Sequence, residues 1–346
     1  MKRTVTFLTL ILFFAVTEFA GPVDPDKALE IANSFWSNNS LSGNKTVTLQ
    51  LAPDNRMSKS GSRIAIEDDD AQYYLITPQE GSGFIIVSGD DRLSPIVGYS
   101  TANTADEMPP ALVDWLEEYS SYVDDIRAGN IEPAITTGAT GPAIAPMLKT
   151  SWNQSAPYNN LCPTINGQKT PTGCTATAMA QVMKYHNWPE KPIKAITWNN
   201  SATGKQETVD ITKNTYDWDN MLPSYKGGTV YNEVQAAAVS RLLAHVGIAL
   251  GAGYGHGGTG AVTDGHKYTT YFGYDEVSEI PCHNYLDRAE VLKEMLADEL
   301  SQGRPMLGKG SNDPDKYNGH AYVVDGFDMN GLFHFNLGWD GSSNGY

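Results

Sequence analysis

Apolar positions in the first third of the chain follow two different periods. Over residues 25–37, Leu29, Ala32, Phe35 and Trp36 share one side of a 3.6-residue repeat, which predicts a short amphipathic helix. Over residues 111–127, Leu112, Leu116, Tyr119, Val123 and Ile126 recur at alternating steps of four and three, which predicts a longer one. Between them lie three short runs of β-branched and aromatic residues, Tyr73–Thr77, Phe84–Ser88 and Ile96–Tyr99. These read as strands, with Gly89-Asp90-Asp91 closing the second as a turn. Residues 40–71 are polar and interrupted by Pro53 and Gly61, and Glu67-Asp68-Asp69-Asp70 reads as a solvated loop. This part of the chain reads as a small α+β unit.

Residues 129–146 have neither period. Three glycines and three prolines among small residues predict an exposed, flexible connector, open to proteolysis. Beyond it helices are predicted at 174–187, 231–250 and 288–302. The second carries Val234, Ala237, Ala238, Leu242, His245 and Val246 on one face. Strands Ala321–Phe327 and Leu332–Leu337 follow, joined by Asp328-Met329-Asn330-Gly331, where Asn-Gly signals a hairpin. Helices followed by strands indicate a second α+β unit.

The 346 residues, 40% hydrophobic, fit about two domains. The net charge of −16 is concentrated early: residues 21–146 hold 19 acidic and 7 basic side chains, residues 147–346 hold 20 and 15. A nucleic-acid partner needs a basic footprint, and neither half has one. Lys2 and Arg3 precede an apolar run from Val5 to Val16, which reads as a secretory signal ending near Ala20 and is too short for a membrane span. Glu18 fits the cleavage rule poorly. A secreted or periplasmic location follows. The three cysteines, Cys162, Cys174 and Cys282, have no CxxC spacing, so a structural zinc site is not expected. Arithmetic allows a Cys162–Cys282 disulfide that leaves Cys174 free.

Cys174 stands where a small-residue helix begins, in Gly173-Cys174-Thr175-Ala176-Thr177-Ala178-Met179-Ala180-Gln181. The positive end of a helix dipole favours thiolate over thiol. A thiolate nucleophile needs an imidazole, which need not be near it in sequence. His320 follows a glycine and opens an apolar strand, 146 residues later, within the separation seen in cysteine peptidases. A base also needs a group to orient its far nitrogen. Asn336 and Trp339 lie on the returning strand: Asn336 could accept the imidazole N–H and Trp339 could shield it from water. A two-residue turn at Met329-Asn330 sets His320 opposite Trp339, and a slightly different turn brings it nearer Asn336. Gln154 precedes the cysteine by 20 residues and could donate to an oxyanion beside the Cys174 amide.

Other matches carry less. Gly253-Tyr254-Gly255-His256-Gly257-Gly258 fits GxGxxG but follows a helix, not a strand, and reads as a mobile loop beside a cleft. Gly341-Ser342-Ser343-Asn344-Gly345 fits GxSxG without a following helix or a later Asp or His. His186 and His245 fall on helical core spacing, and His256 and His266 make a weak metal pair. No cofactor is expected.

Together, Trp152-Asn153-Gln154, Pro157-Tyr158-Asn159, the Cys174 segment, Gly251–Ala261, Gly319–Gly326 and Asn336-Leu337-Gly338-Trp339 resemble the streptopain family of papain-like cysteine peptidases. The match covers about 146–346, and Gly83–Asp91 is similar to that family's inhibitory prodomain. The resemblance implies an α+β, papain-like catalytic domain over 147–346 behind a small α+β prodomain over 21–128, a signal over 1–20 and an activation linker over 129–146. It implies a zymogen in which Cys174 attacks a peptide carbonyl and His320 protonates the leaving amine. Gln154 and the Cys174 amide would hold the oxyanion, and Asn336 and Trp339 would support His320. Protein or peptide substrates with an apolar residue just before the scissile one are expected, with the prodomain blocking the cleft as an intramolecular inhibitor. Two departures are Leu337, where the family often has an aromatic, and an end at Tyr346, which reads as a C-terminal truncation. A papain-fold acyl transferase and a non-catalytic secreted binding protein are the alternatives. Both halves are acidic, so the prodomain is expected to dock by apolar packing and hydrogen bonds.

Overall fold

A computed structural model describes residues 21–39, 47–52, 71–102, 108, 110–133, 142–285, 288–310 and 319–346. The signal reading at 1–20, the acidic run at 67–70 and most of the flexible part of the connector lie outside the described residues.

Alternation explains the first unit. Strands β1 (Leu49–Leu51), β2 (Tyr73–Pro78), β3 (Phe84–Ser88) and β4 (Ile96–Ser100) form an antiparallel sheet in chain order. Helix α1 (Pro25–Asn38) covers one face, packing Ala28, Ala32 and Trp36 against Tyr74, Ile76, Ile85 and Val87. Helix α2 (Pro110–Arg127) covers the other, with Val113 and Leu116 against Tyr73, Leu75, Phe84 and Ile86. Because both faces are buried, the strands read as unbroken apolar runs. Asp24 caps α1 by accepting from the Lys27 amide.

The turn after β3 is more than a turn. Asp90 is fully buried, and its carboxylate accepts two 2.7 Å bonds from Arg92 and one of 3.3 Å from Arg127. Burial pushes this carboxyl up, but the two guanidinium groups outweigh it and hold it below the usual carboxylate range. Asp90→Asn strands two partly buried cations near β3. We expect a loss of about 2 kcal/mol, read as a lower thermal midpoint of the full chain; an unchanged midpoint counts against this role.

The second unit is built around helix α3 (Cys174–His186), where Thr175 through Met183 are all buried. It packs between helix α4 (Glu233–Ala249) and an antiparallel sheet of β11 (Met306–Gly310), β12 (His320–Phe327) and β13 (Phe333–Asn336). Three small hairpins precede that sheet: β5 (Thr164–Ile165) with β6 (Gln168–Lys169), β7 (Ile196–Asn200) with β8 (Lys205–Val209), and β9 (Gly253–Gly255) with β10 (Gly258–Gly260). Helices α5 (His266–Phe272) and α6 (Ala289–Ser301) complete it. No helix among the described residues is long and apolar enough to cross a membrane.

Three sequence expectations are corrected. In α4, Ala238, Leu242, His245 and Val246 are buried as expected, together with Ala236, Val239 and Leu243, while Val234 and Ala237 are exposed. The capping box of Asn232 and Gln235 places Val234 in the first turn, before the helix meets its neighbours. The glycine-rich run 253–260 is a hairpin rather than a loop. His186 is exposed at the end of α3, edge-on to Tyr274, whereas His245 is buried against the Tyr216 hydroxyl at 3.0 Å as core spacing predicts.

The two units share a sheet edge. Tyr346 exchanges backbone hydrogen bonds with Tyr99 of β4, and Gly345 does the same with Phe335 of β13. The 345–346 segment thus joins the sheet of the first unit to that of the second. Around it Tyr99 stacks on Tyr346, with Phe35 edge-on to Tyr99 and His334 edge-on to Tyr346, all with centroids 5.0–5.1 Å apart. The Tyr99 hydroxyl donates to Asp328 at 3.0 Å. These contacts are aromatic and hydrogen-bonded, the kind expected between two acidic halves. The end of the connector already belongs to the second unit's sheet, because Ile144 pairs with Phe327 through two backbone bonds.

Candidate active site

The site forms where the first residue of α3 meets the first residue of β12. Gly173 precedes the helix at φ +88, in the left-handed region that favours glycine. A Cβ here would lie 2.8 Å from the Thr259 carbonyl oxygen of β10. No side chain caps α3, so its first amides remain directed at the Cys174 region.

The β12–β13 hairpin delivers the histidine. Asp328 and Leu332 close a three-residue turn, Met329-Asn330-Gly331, and next to it Phe327 faces Phe333 and Gly326 faces His334. Asp325 is then an extra residue on β12, a bulge that takes up the offset, so Val324 faces Phe335 and Val323 faces Asn336. Continued, that register sets His320 level with Trp339. The bulged Asp325 also ties the sheet to the start of the second unit. Its side chain accepts from the Leu148 amide at 2.8 Å and meets His334 Nδ1 at 2.6 Å.

Cys174 and His320 lie close enough for each to shift the other's protonation. Burial pushes the Cys174 thiol up, but the hydrogen bond and charge of His320, the Ala321 backbone and the Thr175 hydroxyl together bring it below its ordinary value of 9.0. Burial pushes His320 down, and its bonds to Cys174 and to the Leu337 backbone bring it above 6.5. Both shifts favour the thiolate–imidazolium form.

The far side of the imidazole is held differently from the expectation. His320 Nε2 lies 2.8 Å from the Leu337 carbonyl oxygen. A carbonyl can only accept, so Nε2 carries the proton and Nδ1 is left for Cys174. The Trp339 ring stacks on the imidazole at 5.8 Å and 21°, and its 3.3 Å Nε1–Nε2 approach is packing. Asn336, proposed from sequence as the acceptor, does not bond His320. Its Nδ2 donates to the Thr150 carbonyl at 2.7 Å, and its Oδ1 accepts from Gln181 and from the Gly338 amide. It braces the wall instead. Gly338, at φ +72 and packed on Thr177, makes the turn that lays Trp339 over His320.

Gln181 was not given a role from sequence. It is fully buried two turns below Cys174, accepts from the Trp152 amide at 3.2 Å and donates to Asn336 at 3.2 Å. A glutamine in a run of alanines, methionines and valines was the available signal. Gln154 is buried, with its carbonyl accepting from Thr172, two residues before the cysteine. No protein hydrogen bond holds its side-chain amide among the described residues. The three cysteines are free: Cys162 is buried and Cys282 exposed, so the Cys162–Cys282 pairing is not formed. His256 and His266 are both exposed, in the β9–β10 turn and at the start of α5.

Comparison with known proteins shows the family. The Peptidase C10 family matches residues 152–346, and the Spi protease inhibitor family matches residues 20–123. The chain belongs to the Peptidase C10 family. Streptopain of Streptococcus pyogenes is 33% identical over 290 residues, covering 76% of this chain and 70% of streptopain. The thiol protease/hemagglutinin PrtT of Porphyromonas gingivalis is 30% identical over all of this chain, which spans only 41% of PrtT. A prointerpain A fragment from Prevotella intermedia superposes with a TM-score of 0.73 at 29% identity, covering 87% of this chain and 91% of that one. Active interpain A gives 0.54 at 35% identity, covering 62% and 89%. This Peptidase C10 member is therefore a cysteine peptidase with an inhibitor-type prodomain ahead of its catalytic domain.

Proposed function

We propose that the chain is a secreted cysteine endopeptidase, made as a zymogen and working through Cys174 and His320. The observation that carries this is the meeting of Cys174, at the uncapped start of α3, with His320 at the head of β12, whose Nε2 is held 2.8 Å from the Leu337 carbonyl oxygen; the thiol is shifted down and the imidazole up. The Cys174 thiolate attacks a peptide carbonyl, and the oxyanion is held by the Cys174 amide and the free amide of Gln154. The C–N bond breaks as His320 Nδ1–H gives its proton to the leaving amine, leaving a thioester on Cys174. Water then attacks the thioester and passes a proton to His320. The acid leaves, and the thiolate–imidazolium pair is restored. Leu337 orients the imidazole, Trp339 shields it, and Asn336 with Gln181 braces the wall behind them.

The prodomain serves as the intramolecular inhibitor. Its described hydrogen bonds fall on the 328–330 turn and on 344–346, not on the catalytic pair. Activation follows from cleavage within 129–141, ahead of the Ile144 tie to the catalytic sheet. The preferred substrate carries an apolar residue one position before the residue whose carbonyl is attacked. Hydrolysis of two fluorogenic peptides, with leucine or aspartate at that position, tests the reading on intact and cleaved chain. Activity should appear only after cleavage and favour leucine. Equal activity of the intact chain would contradict the zymogen, and equal rates on both peptides would contradict the preference.

A further inference from the structure

The loop from Gly338 to Gly345 contains the GxSxG-like run to which the proposed reaction gives no role. Four of its residues have left-handed backbone: Gly338 at φ +72, Asp340 at +53, Gly341 at +79 and Ser343 at +54. Two of these are not glycine, so contacts rather than intrinsic preference hold the loop. The Asp340 amide donates to the Trp152 carbonyl at 3.1 Å, Ser342 to Trp339 at 2.8 Å and Asn344 to Gly341 at 3.2 Å. The chain thereby returns Asn344 to the point where the loop began.

There the Asn344 side chain closes on Leu337. Its Oδ1 accepts from the Leu337 amide at 3.0 Å. The carbonyl of the same residue is the one that receives His320 Nε2–H at 2.8 Å. Leu337 is thus gripped at its amide by Asn344 and presents its carbonyl to the imidazole. We infer that Asn344 is a positioning residue for His320, acting through the Leu337 backbone; this rests on Cys174 and His320 being the reacting pair. The Asn344 carbonyl itself accepts from the Ser100 hydroxyl at 2.7 Å, so in the uncleaved chain the prodomain holds the same residue.

Cys174 faces His320 from α3, Leu337 and Trp339 from the loop, and Gly310 is its strand partner on β11. Among the described residues Cys174 is the titratable group that acts on it, and Lys309 of β11 reaches the neighbouring Gly319, its Cε 3.1 Å from where a Cβ there would lie. A weaker hold on the Nε2 proton therefore lowers the pH at which the imidazolium loses it.

The test is the pH profile of Cys174 alkylation by iodoacetamide in the full chain carrying Cys282→Ser, with kcat and KM measured after cleavage. Cys162 is 2% exposed and does not compete. The parent profile should show two steps, the lower from Cys174 and the upper from His320. A single ordinary thiol step in the parent would overturn the Cys174–His320 reading itself. Asn344→Ala should move the upper step to lower pH and cut kcat about tenfold with little change in KM, the scale of a hydrogen bond to a charged group. Asn344→Asp keeps the acceptor and adds a negative charge, so its upper step should fall at or above the parent's. An Asn344→Ala chain with the parent's upper step and kcat would overturn the inference. Should the alanine chain fail to fold, a downward shift in Asn344→Asp would overturn it equally.

Discussion

Cys174→Ala should abolish peptide hydrolysis, with kcat/KM falling by about 10⁴ or more while the fold is retained. The sulfur occupies the first position of α3, and the residues that bury the helix begin after it, so removal costs little packing. His320→Ala should lose nearly as much, and the double variant little more than either single one, because nucleophile and acid act as a unit. The pH profile of kcat/KM carries the same signature. Activity should rise as pH passes the lowered pKa of Cys174, below 9.0, and fall as it passes the raised pKa of His320, above 6.5. These limbs belong to the coupled pair rather than to either residue alone. A profile rising only near the ordinary thiol value would contradict the ion pair.

Gly173→Ala should cut kcat/KM by about 10²-fold, the scale associated with misplacing a reacting atom by an ångström. Two effects coincide at this position. The left-handed backbone is unfavourable to any side chain, and the added Cβ would press on the Thr259 carbonyl oxygen at 2.8 Å. Thr259 cannot retreat freely, because its hydroxyl donates to the Pro171 carbonyl at 2.6 Å. The start of α3 must give, and Cys174 moves with it. Gly167→Ala is the control: φ is +79 but nothing lies within 4 Å of the new Cβ. It should cost about 1 kcal/mol of stability and leave kcat/KM intact. Equal effects at the two glycines would show that backbone strain alone, not the Thr259 contact, accounts for the loss.

The parts of the site legible in the sequence are those that depend on side-chain identity at a recognisable place. Cys174 before a run of small residues, His320 at the head of an apolar strand and Trp339 on the returning strand are of this kind. The orienting acceptor was not legible, because every residue has a carbonyl and nothing in the sequence marks that of Leu337. Asn336, one residue away, offered the expected chemistry in its side chain, yet that side chain is engaged with Thr150, Gln181 and Gly338. The hairpin shows how two departures can cancel. The turn is one residue longer than the register facing Trp339 required, and the bulge at Asp325 restores it. Strand β11 was missed because Gly308 and Gly310 remove the apolar alternation that marks a strand, and β7–β8 because only Ile196 and Trp198 of the hairpin are buried. The sheet that joins the two units through 345–346 is made of backbone pairing between distant segments, which leaves no local pattern.

The most direct test of the account is to treat the cleaved chain with a peptidyl chloromethyl ketone bearing a leucine one position before its reactive residue, then map the adduct by mass spectrometry. One adduct is expected, on Cys174, formed in step with the loss of activity and absent when His320 is replaced by alanine. An adduct that forms on Cys282 while Cys174 stays free and activity persists would contradict it.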